Sequence, residues 1–336
     1  MNYKITDTLE GIQELKEEWV ELYNQLPELS PFQSYEFNYY SWEHFLKKEG
    51  QLFVLSFYET NQLVAIFPTY IDRSKTLRFI NDIHVDFCNI LNISSSSFKL
   101  FKLFEKIVSD SKQVREVKMS NIKDGKTASQ LNYHFKKRKS LNSSIQHSLL
   151  EIQEDGFIYL NSSERSELKR IQKKLKDCVY EEWGVFKEGV IDLVRNSMLD
   201  SELRNDDFLS ASFIKLLKVL FEAKQLRIFS LNLNEKVVAI SFVITRGKHQ
   251  LVWMDAYDNT PYVNLSNYIH FLEKQEPGVI VSFGRGTYKY KMNNFQPLAE
   301  NLYSFYYSKS LFLFTLNELE KLLKAVLKSV LREKQY

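Results

Sequence analysis

Two segments of this chain repeat each other at an offset of 174 residues. Residues 52–80, LFVLSFYETNQLVAIFPTYIDRSKTLRFI, align without a gap to residues 226–254, LRIFSLNLNEKVVAISFVITRGKHQLVWM. Six aligned pairs are identical, where roughly two would be expected by chance from average residue usage. Both segments read strand, polar turn, strand, polar turn, strand, which is the pattern of an antiparallel meander. We therefore predict a duplicated chain with two equivalent three-stranded meanders; two unrelated meanders of similar length are the alternative.

The segments that follow the two meanders also match. Each meander is followed by a polar stretch and a predicted helix, SSFKLFKLFEKIVSD in the first half and NLSNYIHFLEKQ in the second, and then by a further strand. A chain of 336 residues is long enough for two domains. The pattern predicts an α/β (α+β) protein with two tandem cores, each a mixed, mostly antiparallel sheet flanked by helices. We place the two cores at residues 1–150 and 151–336.

Composition excludes several classes of protein. An apolar fraction of 44% and an aromatic fraction of 14% are typical of packed cores rather than of disorder. The 45 basic and 42 acidic residues give a net charge of +3, which does not indicate DNA binding. Cys88 and Cys178 are the only cysteines and the six histidines show no metal-binding spacing, so we expect neither disulfides nor a metal site. A polar N-terminus and the lack of an apolar run near ~20 residues predict a cytoplasmic protein.

Two further helices are predicted, and each has two interpretations. The helix in SELKRIQKKL, residues 166–175, is strongly basic and is either a solvated face or a contact to phosphate. The C-terminal helix is amphipathic, and its apolar stripe consists of Leu316, Leu319, Leu322, Leu323, Val326, Leu327 and Val330. We expect this helix to dock on the body of the protein; peripheral contact with the inner face of the membrane is the alternative.

The loop SFGRGTYKYKMNNF, residues 282–295, concentrates glycine, lysine and tyrosine. It holds two of the ten glycines of the chain, Gly284 and Gly286, directly after an apolar run. Glycine allows a tight turn and a close approach of the backbone to a ligand. If the chain is extended after this turn, its two tyrosines face one side and its two lysines the other. Lys291 is our candidate for binding an anionic group and Arg285 the second candidate; a solvated strand end is the alternative.

Carboxylates at two other places are candidates for proton transfer. Asp255 and Asp258 end the strand HQLVWMDAYD, where either could accept a proton from a substrate directly or through water. His84 and Asp86 in IHVDF lie on the same side of an extended segment and would form an acid/base pair in a cleft between the two cores. Ordinary turn residues are the alternative at both places.

The order of these and other motifs resembles one bacterial family. The residues that carry the resemblance are Trp19, Pro31, Phe32, Ser34 and Trp42 near the start, the basic helix, Tyr257 and Asp258 before a loop and helix, and Gly284, Gly286, Tyr290 and Lys291 in the glycine loop. This order is similar to that of the CelD/BcsL-type acetyltransferase-like family, which occurs in bacterial surface-polysaccharide gene clusters. The resemblance covers nearly the whole chain and implies two tandem GNAT cores in a FemABX-like arrangement.

The resemblance also implies roles for individual residues. The predicted catalytic residues are Asp258, on the family's Tyr-Asp, and Tyr290 and Lys291, on its Tyr-Lys. The predicted residues for binding acyl-CoA are Asn264, Ser266 and Asn267, which would cap a helix whose free N–H groups receive the pyrophosphate; an ordinary helix cap is the alternative. The predicted substrate-binding residues are Trp42, His84, Asp86, Asp255 and Arg285.

The implied function is acyl transfer. The donor would be acyl-CoA, and the acceptor an amino or hydroxyl group of a bacterial surface-polysaccharide or other cell-envelope precursor. A second hypothesis is a transferase that takes its acyl group from aminoacyl-tRNA, as FemABX enzymes do, and the basic helix favours it. A third hypothesis is a non-catalytic binding protein on a degenerate GNAT fold. Ser282, which stands where the family usually has Asp, and the lack of recognisable acyl-CoA-loop glycines favour this third hypothesis.

Overall fold

The computed structural model describes residues 1–80, 82, 84–154, 166, 169–171, 173, 175–200, 207–258, 260 and 262–333. Within these ranges the protein is of the mixed α/β class, with two sheets flanked by helices.

The N-terminal half leads with a short strand and a group of helices and then forms the first meander. Its strands are β1 (Asn2–Thr6), β2 (Gly50–Leu52), β3 (Val54–Glu59), β4 (Gln62–Phe67), β5 (Thr69–Asp72), β6 (Thr76–Phe79), β7 (Leu91–Asn92), β8 (Glu116–Ile122) and β9 (Lys139–Glu151). Its helices are α1 (Leu9–Glu14), α2 (Lys16–Asn24), α3 (Tyr35–Ser41), α4 (Ser97–Asp110) and α5 (Gly125–His134). A 3₁₀ turn, Pro31–Gln33, and a π-helical turn, Trp42–Leu46, flank α3.

The C-terminal half follows the same plan after two helices of its own. Its strands are β10 (Val179–Glu182), β11 (Leu226–Leu233), β12 (Lys236–Arg246), β13 (His249–Tyr257), β14 (Ile280–Arg285) and β15 (Leu298–Ser308). Its helices are α6 (Glu188–Asp200), α7 (Ala211–Glu222), α8 (Val263–Glu273), α9 (Lys289–Phe295) and α10 (Leu311–Glu333). The predicted basic helix falls only partly on described residues, and of these Ile171 and Leu175 are buried.

The two halves repeat one strand order. In the C-terminal half, β11, β12 and β13 form an antiparallel meander, and β14 lies parallel to β13. In the N-terminal half, β2, β5 and β6 pair in the same antiparallel order, and β8 lies parallel to β6. Helix α8 connects the two parallel strands in the second half, and α4 does so in the first. The predicted equivalence of the two meanders is therefore confirmed in its strand order.

Pro68 divides the first meander between two sheets. It lies between β4 and β5, where it has no N–H to donate to a neighbouring strand. As a result, β4 pairs with β3 in a four-stranded sheet, and β5 pairs with β2 in an eleven-stranded sheet. The aligned residue of the second meander is Phe242, where β12 continues with only a shift in register. A proline at this position accounts for the break in the first copy.

The two halves exchange their last strands. Strand β9 of the N-terminal half pairs with β14 of the C-terminal half, and β15 of the C-terminal half pairs with β8 of the N-terminal half. Strands β9 and β15 also pair with each other, from Leu298 opposite Leu149 to Tyr307 opposite Lys139. The eleven-stranded sheet is therefore continuous across both halves, and backbone hydrogen bonds join them.

The C-terminal helix α10 does not dock as expected. The side that faces the body is mixed: Phe314 stacks on Tyr306, and Ser140 of β9 donates a hydrogen bond to Glu318 (3.0 Å) and accepts one from Lys321 (2.7 Å). The residues of the predicted apolar stripe that the structure describes, Leu316, Leu319, Leu322 and Leu323, are exposed instead. The expectation that this stripe packs on the body is wrong for these four residues. Among the described residues, no helix has the length and apolar character needed to cross a membrane.

The strand exchange predicts that neither half folds alone. A fragment of residues 1–150 would leave β8 without β15, and a fragment of residues 151–336 would leave β14 without β9. Buried backbone groups without partners are strongly unfavourable. We expect each fragment to lack a cooperative unfolding transition by circular dichroism, and the coexpressed fragments to purify as one complex. A fragment that unfolds cooperatively alone would contradict this expectation and favour independent domains with the boundary at 150/151.

A second prediction concerns His147, which is fully buried on β9. Burial and the nearby charge of Lys123 lower the pKa of His147 to about 4, although Glu300, 3.1 Å from Nε2, acts in the opposite direction. The unfolded chain binds this proton near pH ~6.5, so the free energy of unfolding should fall as the pH drops from there to about 4. His147→Gln binds no proton. The free energy of unfolding of the variant, measured relative to that of wild type, should therefore rise by up to roughly 3 kcal/mol between neutral pH and the acid end of this window. Denaturant titrations at both pH values measure this, and a pH-independent difference would refute it.

Candidate active site

A cavity opens in the C-terminal half where two parallel strands separate. Strands β13 and β14 pair from His249 opposite Ile280 to Leu251 opposite Ser282, and their following residues diverge. The gap holds a cavity of about 190 Å³. It is lined by Val252, Trp253, Met254 and Asp255 of β13, Phe283 and Arg285 of β14, Tyr268 of α8, Lys291 of α9, and Asp86 and Phe208.

The equivalent gap in the N-terminal half is filled by the chain itself. Strands β6 and β8 pair at Thr76 and Leu77 and then separate. The segment around Cys88 enters this gap, since Cys88 N–H donates to the Asn121 carbonyl (2.8 Å) and Cys88 O accepts from Lys123 N–H (3.1 Å). The duplicated halves therefore differ at the corresponding place: the C-terminal gap is open and the N-terminal gap is closed.

The segment that fills the first gap also brings Asp86 to the second. The backbone N–H of Arg285 donates to the Asp86 carboxylate. Gly284 adopts a φ of +73°, and a Cβ at this position would lie only 2.5 Å from Asp86 Oδ2. Gly284 is therefore needed both for its backbone conformation and for the close approach of this carboxylate. The side chain of Ser282, which the sequence left unexplained, accepts a hydrogen bond from Gly284 N–H (3.2 Å).

Lys291 is buried and lines the cavity. The chain is helical from Lys289, so the expectation of an extended segment with tyrosines and lysines on opposite sides is wrong. Lys291 Nζ donates a hydrogen bond to the carbonyl of Phe283. Burial lowers the pKa of Lys291, and the carboxylates of Asp86 and Asp255 oppose this effect. Burial likewise raises the pKa of Asp86, against the Arg285 N–H and the Lys291 charge. Because both groups shift towards neutrality, proton transfer here costs less than in water.

Two hydroxyl groups orient the carboxylate of Asp255. Ser241 of β12 donates to Oδ1 (2.5 Å) and Tyr268 of α8 donates to Oδ2 (2.5 Å). Asn267 in turn donates from Nδ2 to the Ser241 oxygen (2.7 Å). Asp255 is thus held by a strand and a helix on either side of it, in a position to accept a proton inside the cavity.

Among the described residues, no side chain caps the N-terminus of helix α8. Its N-cap residue is Tyr262, in a left-handed conformation with a φ of +69°. Ser266 and Asn267 lie inside the helix and are buried, so the expectation that they cap it is wrong; the side chain of Asn264 lies outside the described part. Arg170 from the basic segment donates to the Tyr262 hydroxyl (3.2 Å). The first N–H groups of α8 and a guanidinium therefore lie at the same end of the helix.

The structure places the remaining predicted residues elsewhere. Trp42 is buried against Tyr70, 6.1 Å between ring centroids, and does not line the cavity. Asp258 pairs with Lys236 (3.0 Å) and accepts from Thr260 N–H (2.9 Å) in a turn, also outside the cavity.

His84 does not form the proposed pair with Asp86. Its ring packs near Phe45 and Phe213, and its backbone carbonyl accepts a hydrogen bond from Trp253 Nε1 (3.1 Å). The side chain of Tyr290 lies outside the described part. Within the described ranges, no group of three or more His, Cys, Asp or Glu side chains could hold a metal ion.

The residues that hold Asp255, Ser241 and Tyr268, are not among the predicted site residues. The sequence does single out Ser241, because it is the one hydroxyl-bearing residue in the apolar run VVAISFVI and a buried hydroxyl needs a hydrogen-bond partner. Nothing in the sequence distinguishes Tyr268 from the other tyrosines of this tyrosine-rich chain.

A larger cavity of about 500 Å³ lies in the N-terminal half, near the N-termini of α4 and α5. Lys123 and Lys126 line it, but so do Glu28 and Asp124, and Asp124 already caps α5 through Lys126 N–H (2.9 Å). The smaller cavity between β13 and β14 is the better candidate, because it brings two carboxylates and a lysine together and hydrogen bonds fix the orientation of Asp255 and Lys291.

Comparison with known proteins identifies the fold. No family model and no curated protein matches the sequence. The crystal structure of FemX is 11% identical with a TM-score of 0.59, over 94% of this chain and 99% of FemX. The structure of L-PGS from Bacillus licheniformis is 14% identical with a TM-score of 0.54, over 82% of this chain and 93% of that one. A tandem GNAT protein from the clavulanic acid biosynthesis pathway is 11% identical with a TM-score of 0.50, over 90% of this chain and 98% of that one. The predicted fold class, tandem GNAT-like cores of mixed α/β type, is therefore confirmed.

A glycine substitution tests the contact between the halves. Gly284→Ala should destabilise the protein because the new Cβ meets Asp86. Gly247→Ala is the matched control, since Gly247 also has a positive φ, +55°, but nothing lies within 4 Å of its Cβ position. We expect the control to lose about 1–2 kcal/mol of its free energy of unfolding, from backbone strain alone. Gly284→Ala should lose at least ~1 kcal/mol more. Denaturant unfolding measures both. In an Asp86→Ala background the excess should disappear; an excess that persists would show that Asp86 is not its cause.

Proposed function

We propose that the protein transfers an acyl group from a thioester donor, acyl-CoA, to an amino or hydroxyl group of a bacterial surface-polysaccharide or other cell-envelope precursor. The observation that carries this proposal is the open gap between β13 and β14, in which Asp255, Lys291 and Asp86 surround one small cavity. The GNAT-like fold supports acyl transfer in general. The nature of the acceptor rests on the resemblance to the CelD/BcsL-type family, which stays a prediction.

Acyl-CoA would bind in the gap between β13 and β14 of the second half, and not in the equivalent gap of the first half. Diverging parallel strands leave room for an extended pantetheine arm, whereas the equivalent gap of the first half is occupied by the Cys88 segment. No side chain among the described residues caps the N-terminus of α8, and Arg170 lies beside it. Free N–H groups, the helix dipole and a guanidinium together suit a pyrophosphate. These groups would hold acyl-CoA with its thioester directed into the cavity.

The cavity supplies groups for each part of the reaction. The acceptor nitrogen or oxygen attacks the thioester carbonyl carbon, its proton passes to the Asp255 carboxylate, and the carbon–sulfur bond breaks to release CoA as thiolate. Lys291, oriented by the Phe283 carbonyl, places positive charge near the oxygen on which negative charge develops. The proton on Asp255 can then neutralise the leaving thiolate. Arg285, half-buried beside the cavity, is positioned for a phosphate of the acceptor.

This assignment moves the base from Asp258 to Asp255. Both carboxylates are on or directly after β13, but only Asp255 lines the cavity. Asp258 is occupied by Lys236 and by a turn hydrogen bond from Thr260.

Binding experiments separate the three hypotheses. Isothermal titration with acetyl-CoA, longer acyl-CoAs and deacylated tRNA asks which donor the full chain binds. We expect acyl-CoA to bind, and thiol release from it to require an acceptor, with amino-sugar nucleotides as the first panel. Binding of tRNA without acyl-CoA would replace this proposal by aminoacyl transfer. Binding of neither would favour a non-catalytic protein.

Two lysine substitutions test where the chemistry takes place. Lys291→Met removes a charge from the cavity, and Lys236→Met removes the same charge from beside Asp258. Losing a charge-assisted hydrogen bond of ~1.5–3 kcal/mol should lower kcat/KM about 10- to 150-fold in Lys291→Met. A fall in kcat would indicate an interaction stronger in the transition state, and a rise in KM alone a binding role. Lys236→Met should stay near wild type. The opposite order of effects would return the catalytic role to Asp258.

A further inference from the structure

Helix α10 turns its apolar side away from the protein. Six large apolar residues in its described part are between 46% and 70% exposed. They are Leu311, Phe312, Leu316, Leu319, Leu322 and Leu323. The opposite side is fixed to the body, since Ser140 of β9 donates to Glu318 (3.0 Å) and accepts from Lys321 (2.7 Å). A helix held in this orientation cannot rotate its apolar side inwards without breaking those contacts.

The spacing of these residues is that of a coiled coil. Phe312, Leu316, Leu319 and Leu323 follow each other in steps of four, three and four residues, and the sequence continues this alternation with Val326 and Val330. An average step of 3.5 residues keeps one apolar seam facing a partner helix along its length. We call the six residues at this spacing the α10 seam: Phe312, Leu316, Leu319, Leu323, Val326 and Val330. The pattern calls for another helix with a similar seam.

We infer that the partner is a second copy of this chain, so that two α10 helices pair through their seams. A self-complementary surface is what a two-fold dimer requires. Burying a leucine-sized side chain removes about 60–120 Å² of apolar surface from water. The described residues that this pairing would cover are Phe312, Leu316, Leu319, Leu323 and the adjacent Leu322. On two copies they give roughly 600–1,200 Å² in total, a range that includes the lower limit for a specific interface.

The charges around the α10 seam argue against a lipid surface. A helix that lies on an anionic membrane carries basic residues beside its apolar face. Here Glu320 is one helical turn from Leu316 and borders the seam, whereas Lys321 points to the body. Lys324 is paired with Glu320, with 2.5 Å between Nζ and Oε1. Insertion into a membrane would bring Glu320 against the headgroups and keep Lys321 away from them.

Sedimentation equilibrium of the full chain tests the proposal. Wild type should be a dimer at micromolar concentrations. Leu319→Glu with Leu323→Glu changes the formal charge by two units within the seam, and Lys324→Glu changes it by the same two units outside the seam. We expect the double variant to raise the dimer Kd at least about a hundredfold and Lys324→Glu to remain dimeric. Thermal unfolding of both variants and wild type, measured at concentrations low enough that each is a monomer, should give equal midpoints and so show that both variants are folded.

Two outcomes would overturn the inference. One is a wild-type chain that stays monomeric throughout the micromolar range; if that monomer also sediments with phosphatidylglycerol vesicles, the seam binds lipid instead. The other is a double variant that dimerises as wild type does, which would place any dimer contact elsewhere. Neither outcome bears on acyl-CoA binding, so the proposed function is tested separately.

Discussion

Pairing between β9 and β15 is the contact on which the rest of the molecule depends. These strands lie side by side at the middle of the eleven-stranded sheet. On its other edge, each pairs with a strand of the opposite half of the chain. Their hydrogen bonds fix the position of β14 through β9 and of β8 through β15. The loop that carries Gly284 and the segment that carries Asp86 can approach each other only because this central pair sets the distance between the two halves.

The duplicated halves have diverged at one matching place. In both, two parallel strands separate beyond a short stretch of pairing, which leaves buried backbone groups that need a partner or a ligand. The first half satisfies them with its own chain, through the hydrogen bonds of Cys88 with Asn121 and Lys123. The second half leaves the gap open and surrounds it with ionisable groups. One topology thus occurs twice, once with the gap filled by the chain and once with an open cavity.

The sequence predicted local patterns well and long-range contacts poorly. The repeat at residues 52–80 and 226–254 gave the correct strand order, since alternation and turns are local signals. The helix beginning at Lys289 was missed because short tyrosine–lysine steps fit a strand equally well. The chemistry of Asp86, Asp255, Arg285 and Lys291 predicts a site, and the structure brings these residues to one cavity. The sequence favours Ser266 and Asn267 as helix caps, but both lie inside the helix. The outward apolar side of α10 could not be predicted, because amphipathicity does not say what covers an apolar face.

The filled gap of the first half couples the two halves. The segment around Cys88 closes the first gap, and two residues before Cys88 it also presents Asp86 to the cavity of the second half. A mutation that withdrew this segment and opened the first gap would remove a carboxylate from the second cavity at the same time. The two gaps therefore cannot vary independently, because one short segment forms part of the wall of both.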